Sequence, residues 1–170
     1  MKNELKKIFL KFFYERKLNN LKKKTFKKTK KTNYKILILI DKKLDIKIKD
    51  LSFFNETFSI PQENINFLWF DSSFAFDYSN HLRIDVDDIN FTGKIKNSFV
   101  ENKYDILFNL YDRDNIFLKY LSVNIKSKFS IGFLTSDTKL NDLVFNFSPN
   151  DLKSIKNEIP KYYNVIYNHI

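Results

Sequence analysis

Apolar and polar positions along most of this chain fall into blocks whose period switches between that of a strand and that of a helix. Ile36 to Ile40 is a continuous aliphatic run ending at Asp41, the pattern of a strand buried on both faces of a parallel sheet. Ile48, Leu51, Phe54 and Phe58 then recur at helical spacing within a mixed stretch from about Leu44, Pro61 closes it, and Ile65 to Phe70 predicts a second strand. Residues 71 to 85 are polar and aromatic by turns and read as an irregular loop or a short edge strand. Asp88 to Phe91 predicts another short strand, and Asn97 to Asn102 a short helix. Tyr104 to Leu110 is a further buried strand, followed by a helical stretch carrying Ile116, Phe117, Tyr120, Leu121 and Val123. Phe129 to Phe133 and Leu143 to Phe147 predict two more strands, the last at or near an edge. Pro149 stands where a first helical turn tolerates it, so the final helix is expected from about Asn150, with a break at Pro160. Strands and helices alternating in this way predict an α/β fold: a mostly parallel open sheet of about five to six strands flanked by helices.

The N-terminal segment follows a different pattern. Leu5, Ile8, Phe9, Phe12 and Phe13 recur at i, i+3, i+4, i+7 and i+8, one stripe of a helix, with Lys6, Lys7 and Lys11 on the other side. Arg16 falls back inside the stripe while Leu18 and Leu21 fall outside it, so the amphipathic pattern fades after about two and a half turns. From Lys22 to Thr32 the chain is mainly Lys and Thr, the composition of a solvated linker or a loose helix end.

Charge sharpens this division. Residues 1 to 31 carry thirteen Lys/Arg against two Glu, whereas residues 33 to 170 carry seventeen against eighteen. The basic character therefore belongs to a segment, and the expected organisation is a basic amphipathic helix and linker at 1–31 followed by a single α/β domain at 32–170. A positive arm on a near-neutral body suits attachment to a polyanion. On a bilayer the stripe would lie at the acyl boundary and the lysines would face anionic headgroups. On RNA the same lysines would contact phosphates. The stripe has a third destination, the protein's own body or a second copy of the chain in a homo-oligomer. Candidate anionic-surface residues are Lys6, Lys7, Lys11, Lys22, Lys23, Lys24, Lys27 and Lys28.

The absence of cysteine removes disulfides and thiolate chemistry, which points to a cytoplasmic setting, with peripheral attachment at the inner membrane face as the membrane form of that expectation. The longest aliphatic run is far below the ~18 residues a membrane span needs, and Lys11 interrupts the N-terminal apolar residues, so neither a transmembrane segment nor a signal peptide is expected. Phe, Ile, Asn and Lys are abundant and Ala appears once, a skew that AT-rich codons would produce.

In an open α/β sheet, ligands collect outside the carboxyl ends of the strands. Those ends present Asp41, then Asn109, Tyr111, Asp112 and Arg113, then Ser136 and Asp137, with Asn141 and Asp142 nearby. If they converge they form a small-ligand site; as loop and cap residues they need no ligand. Only two glycines exist, Gly93 and Gly132, far apart, so the glycine turn of a dinucleotide site and the Walker loop are both missing and no cofactor is expected. The two histidines are His81 and the penultimate His169, which leaves a catalytic triad or histidine metal site dependent on His81 alone. Asp85, Asp87 and Asp88 read as a solvated acidic loop rather than a metal site.

Several segments together resemble a family of uncharacterised small proteins from Bacteroidota, classed as a domain of unknown function: the Lys-rich N-terminal helix, Ile36 to Asp41, Asp88 to Ile95, Tyr104 to Tyr111, Phe129 to Phe133 and Leu140 to Leu143. The resemblance implies a Rossmann-like α/β fold and carries no activity. The expected function is a non-catalytic binding or adaptor module held at an anionic surface by its basic helix. The alternative is an enzyme or sensor for a small polar ligand at the strand ends.

Overall fold

The computed structural model describes residues 2–21, 34–71 and 79–162. Its centre is β1 (Ile36–Asp41), buried at every position and paired in parallel on each side, with β2 (Ile65–Phe70) and β4 (Lys103–Leu110). Outside β2 lies β3 (His81–Ile84); outside β4 come β5 (Lys126–Phe133) and β6 (Leu143–Phe145). The sheet is six-stranded and parallel throughout, in the order β3-β2-β1-β4-β5-β6. The chain winds outward from β1 to one edge, returns across the sheet and winds out to the other, so the strand order reverses between β1 and β4.

Alternation within β1 separates two core layers. Ile36, Ile38 and Ile40 join Phe67, Trp69, Ile106, Phe108 and Ile131 on the face covered by α2 (Phe53–Phe58) and α5 (Leu152–Glu158). Leu37 and Leu39 join Leu68, Leu107 and Tyr111 on the face covered by α1 (Lys2–Asn19) and α4 (Ile116–Asn124). The expected helix-flanked parallel sheet is therefore present, and the period-2 alternation places each aliphatic residue on its face.

Local chemistry explains where the elements differ from expectation. The stretch from Leu44 to Phe58 does not hold one long helix: Asp45 takes a left-handed conformation (φ 54°) after the 3-10 turn 42–44, a second turn covers 48–51, and Ser59 (φ 50°) ends α2. The second half of 71–85 becomes an edge strand, β3; residues 72–78 lie outside the described residues. Asp88 to Phe91 does not form a strand: Asp85 and Asp88 cap the 86–88 turn reciprocally, and pairing is limited to an antiparallel bridge, Ile89 to Ile95. The short helix expected near Asn97 is α3 (Ser98–Glu101), whose first turn the Asn97 side chain caps. Pro149 precedes α5 instead of opening it; Asp151, accepting from Ser154 N, sets the helix start, and Pro160 lies in the 3-10 turn that follows.

The N-terminal helix docks on its other face. Leu10 and Tyr14 are buried in the α1/α4 layer, and Lys6, only 3% exposed, lies on the same line. Lys6 Nζ donates to the Val86 carbonyl at 2.8 Å, with the Phe91 ring 5.6 Å away. Tyr14 hydrogen-bonds Asp137, and Lys17 hydrogen-bonds the Asn124 side chain. The stripe faces outward, with Leu5 50%, Ile8 66%, Phe9 49% and Phe12 61% exposed; of its five members, Phe13 alone packs partly against the core.

Candidate functional site at the strand-order switch

The reversal between β1 and β4 opens a crevice at the carboxyl ends of the two strands, the place where such sheets bind ligands. Asp41 ends β1. It is 1% exposed, and its Oδ1 accepts from Lys43 N at 3.0 Å, starting the turn that follows. Arg113 stands on the loop after β4, with Nε 3.0 Å from Asp41 Oδ2. The contact is an ion pair whose angle falls short of a hydrogen bond, so both buried atoms lack a hydrogen-bond partner among the described residues. Asp112 is a more distant second carboxylate, 3.9 Å from Arg113 Nε.

Above this pair lies a cleft of about 890 Å³, one wall of which is α1, contributing Lys7, Lys11 and Tyr14, with Lys43, Arg113 and the start of α4 among its other walls. Lys7 is paired with Glu4 at 2.7 Å, and Lys119 with Asp114 at 2.6 Å. Asp137 accepts from Tyr14 and lies 4.0 Å from Lys119. Burial, then the Asp137 carboxylate, push the Tyr14 hydroxyl above the ordinary tyrosine range. Tyr14 is therefore a neutral donor that fastens α1 to the loop after β5.

The strand-end residues expected to converge separate into two groups. Asp41, Asp112 and Arg113 meet at the switch point, and Asp137 joins the same cleft. Asn109 and Tyr111 do not reach it, because both are fully buried. They form an oriented chain: Tyr111 OH and Ser122 Oγ are 3.0 Å apart, Ser122 Oγ donates to Asn109 Oδ1 at 2.8 Å, and Asn109 Nδ2 donates to Asn141 Oδ1 at 2.8 Å. Asn141 Nδ2 closes the chain on the Asp137 carbonyl at 3.1 Å and reaches Ser136 Oγ at 3.5 Å. Satisfying buried polar groups fully is what makes such a chain tolerable in a core. Its effect is to hold the loop that presents Asp137, so Asn109, Tyr111 and Ser136 support the site from behind.

The basic candidates fall into three groups. Lys6 is buried, Lys7 and Lys11 turn toward the cleft, and Lys22, Lys23, Lys24, Lys27 and Lys28 lie outside the described residues. Tyr14, Lys43 and Lys119 are cleft residues that pattern reading missed. A signal existed for Tyr14, which follows Lys6 and Leu10 at i+8 and i+4, but only if a lysine is admitted to a buried line.

The model of a family of unknown function, DUF6913, matches residues 6–166. The chain belongs to this DUF6913 family. The match runs from within α1 to beyond α5, so the docked helix and the α/β sheet are parts of one family pattern. No curated protein and no solved structure matches the chain.

Proposed function

We propose that this DUF6913 protein is a non-catalytic binding module that lies on an anionic membrane through the outer face of α1. The observation that carries the reading is the row Leu5, Ile8, Phe9 and Phe12, half to two-thirds exposed on a helix whose opposite face is already docked. Large apolar side chains arranged contiguously on a surface mark an interaction site. Moving the exposed parts of four such side chains out of water is worth roughly 1 kcal/mol each. Arg16 falls within the row, and the Lys-rich segment 22–31 continues the chain from its end. Each basic residue near anionic lipid adds about 1 kcal/mol. Charge and stripe therefore favour the same partner, whereas RNA has no use for four apolar side chains in line. The composition of an AT-rich genome accords with a Bacteroidota origin, and the membrane face in question is then the inner, cytoplasmic one.

Docking also refines the chemistry expected of the helix. Lys6, Lys7 and Lys11 are engaged with the body or its cleft, so the cations that meet lipid are Arg16 and those of the 22–31 segment. The test is flotation of the full-length protein with phosphatidylcholine vesicles, with and without phosphatidylserine, beside a Phe9→Glu/Phe12→Glu variant. Binding to the anionic vesicles alone, lost in the variant while its thermal melt is unchanged, is the expected result. Equal flotation of the variant, or no flotation of the wild type together with salt-sensitive RNA binding, overturns the reading.

A further inference from the structure

The structure assigns a second site: the switch-point cleft binds the phosphate group of a small molecule or lipid headgroup through Arg113. This inference is independent of the membrane reading, because it concerns the inner side of α1 and not its outer face. Arg113 is held from behind, its Nε against buried Asp41. Its closest ion-pair contacts are those of Nε to Asp41 and Asp112, and its two terminal nitrogens make no hydrogen bond among the described residues. The side chain is 38% exposed and lines the cleft. A guanidinium ion-paired at Nε with a buried carboxylate, its terminal nitrogens without a hydrogen bond among the described residues, presents the planar fork that fits two oxygens of one phosphate.

Three lysines of the same cleft, Lys11, Lys43 and Lys139, have no ion pair among the described residues. A carboxylate would be matched by the fork alone; additional free cations favour a group bearing two charges. The first turn of α4 forms part of the wall, and its dipole acts in the same sense. The lining as a whole carries six cationic and five carboxylate side chains, so recognition rests on the Arg113 end and not on a general positive field. Glu15 and Asp71 are the carboxylates there without an ion pair among the described residues, and they exclude a ligand that is anionic along its whole length. At about 890 Å³ the cleft has room for a phosphorylated small molecule.

The experiment titrates the full-length protein with inorganic phosphate by calorimetry in chloride buffer of fixed ionic strength, and in a second arm, with every protein carrying Phe9→Glu/Phe12→Glu to remove the membrane stripe, measures flotation with vesicles containing phosphatidic acid in excess of that with phosphatidylserine vesicles of equal charge. Arg113→Lys keeps the charge beside Asp41 while removing the fork. The expected outcome is saturable binding in one arm, at least about tenfold weaker in Arg113→Lys; the arm that responds identifies a soluble or a lipid phosphate. Lys43→Gln, which breaks no ion pair among the described residues, is expected to weaken binding in that arm severalfold, and Lys153→Gln on α5 to leave it unchanged. Lys43→Gln also serves if Arg113→Lys fails to fold. The Phe9→Glu/Phe12→Glu variant is expected to bind inorganic phosphate like wild type, which separates this site from the membrane face. Absence of saturable binding in both arms, equal binding by Arg113→Lys, or an equal loss in Lys153→Gln overturns the assignment.

Discussion

Truncating Leu10 should cost far more stability than truncating Phe12, although the two residues are near neighbours on one helix and both are large and apolar. Leu10 has no exposed surface and belongs to the layer containing Leu37, Leu39, Leu118 and Leu121. Replacing it with alanine removes buried methyl groups and leaves a cavity, which costs about 2–5 kcal/mol. Phe12 is 61% exposed, so Phe12→Ser is expected to change stability by no more than about 0.5 kcal/mol. For a chain of this size a loss of about 3 kcal/mol lowers the melting temperature by roughly 6–12 °C. It lowers the urea midpoint by about 1–1.5 M if the slope is about 2–3 kcal/mol/M. Urea denaturation of both variants, followed by circular dichroism, gives the comparison directly. A small effect at Leu10 combined with a large one at Phe12 would mean that the stripe is the docked face, and the orientation of α1 would be wrong.

Two further predictions concern the core. Trp69 Nε1 donates to His81 Nδ1 at 3.1 Å, so the ring must accept there, and burial holds its pKa below the usual histidine value. The unfolded chain then binds the proton first as pH falls: the contribution of His81 is complete above about pH 6.5 and is lost on acidification toward the folded-state pKa. Stability should fall between pH 7.5 and 5.5, with a shallower slope in His81→Gln; identical slopes would contradict this. Gly132 has no room for a side chain, since a Cβ there would lie 2.3 Å from Asn141 Nδ2. Gly132→Ala should displace Asn141, break its bond to Asn109 and cost about 1–3 kcal/mol in urea unfolding. A neutral result would mean that the chain from Tyr111 to Asn141 does not depend on this close approach.

The sheet was legible because parallel strands buried on both faces leave uninterrupted aliphatic runs, as Ile36 to Ile40 does. The first turn after β1 was not, since a left-handed Asp45 is a choice of backbone that composition does not announce. The site was readable in part for a similar reason. Strand ends are predictable once strands are, which brought Asp41 and Arg113 forward, but burial at those ends is decided by tertiary packing. Asn109 and Tyr111 have the polarity of ligand residues and serve the interior. The α1 stripe shows the limit most plainly: hydrophobic periodicity identifies an apolar face, and it does not say that the face points inward. Here the docked line runs through Lys6, whose ammonium finds the Val86 carbonyl while its stem is covered, an arrangement that hydropathy alone assigns to the wrong side.

The most direct test of the membrane account uses the absence of cysteine, which makes every single-cysteine variant uniquely labelled. An environment-sensitive fluorophore is placed in turn at Ile8→Cys and Phe12→Cys on the outer face of α1 and at Lys47→Cys, an exposed position after β1. Adding phosphatidylserine-containing vesicles should shift emission to the blue at positions 8 and 12 and leave position 47 unchanged, because only the stripe reaches the acyl boundary. No shift at positions 8 and 12, or an equal shift at all three, would contradict it.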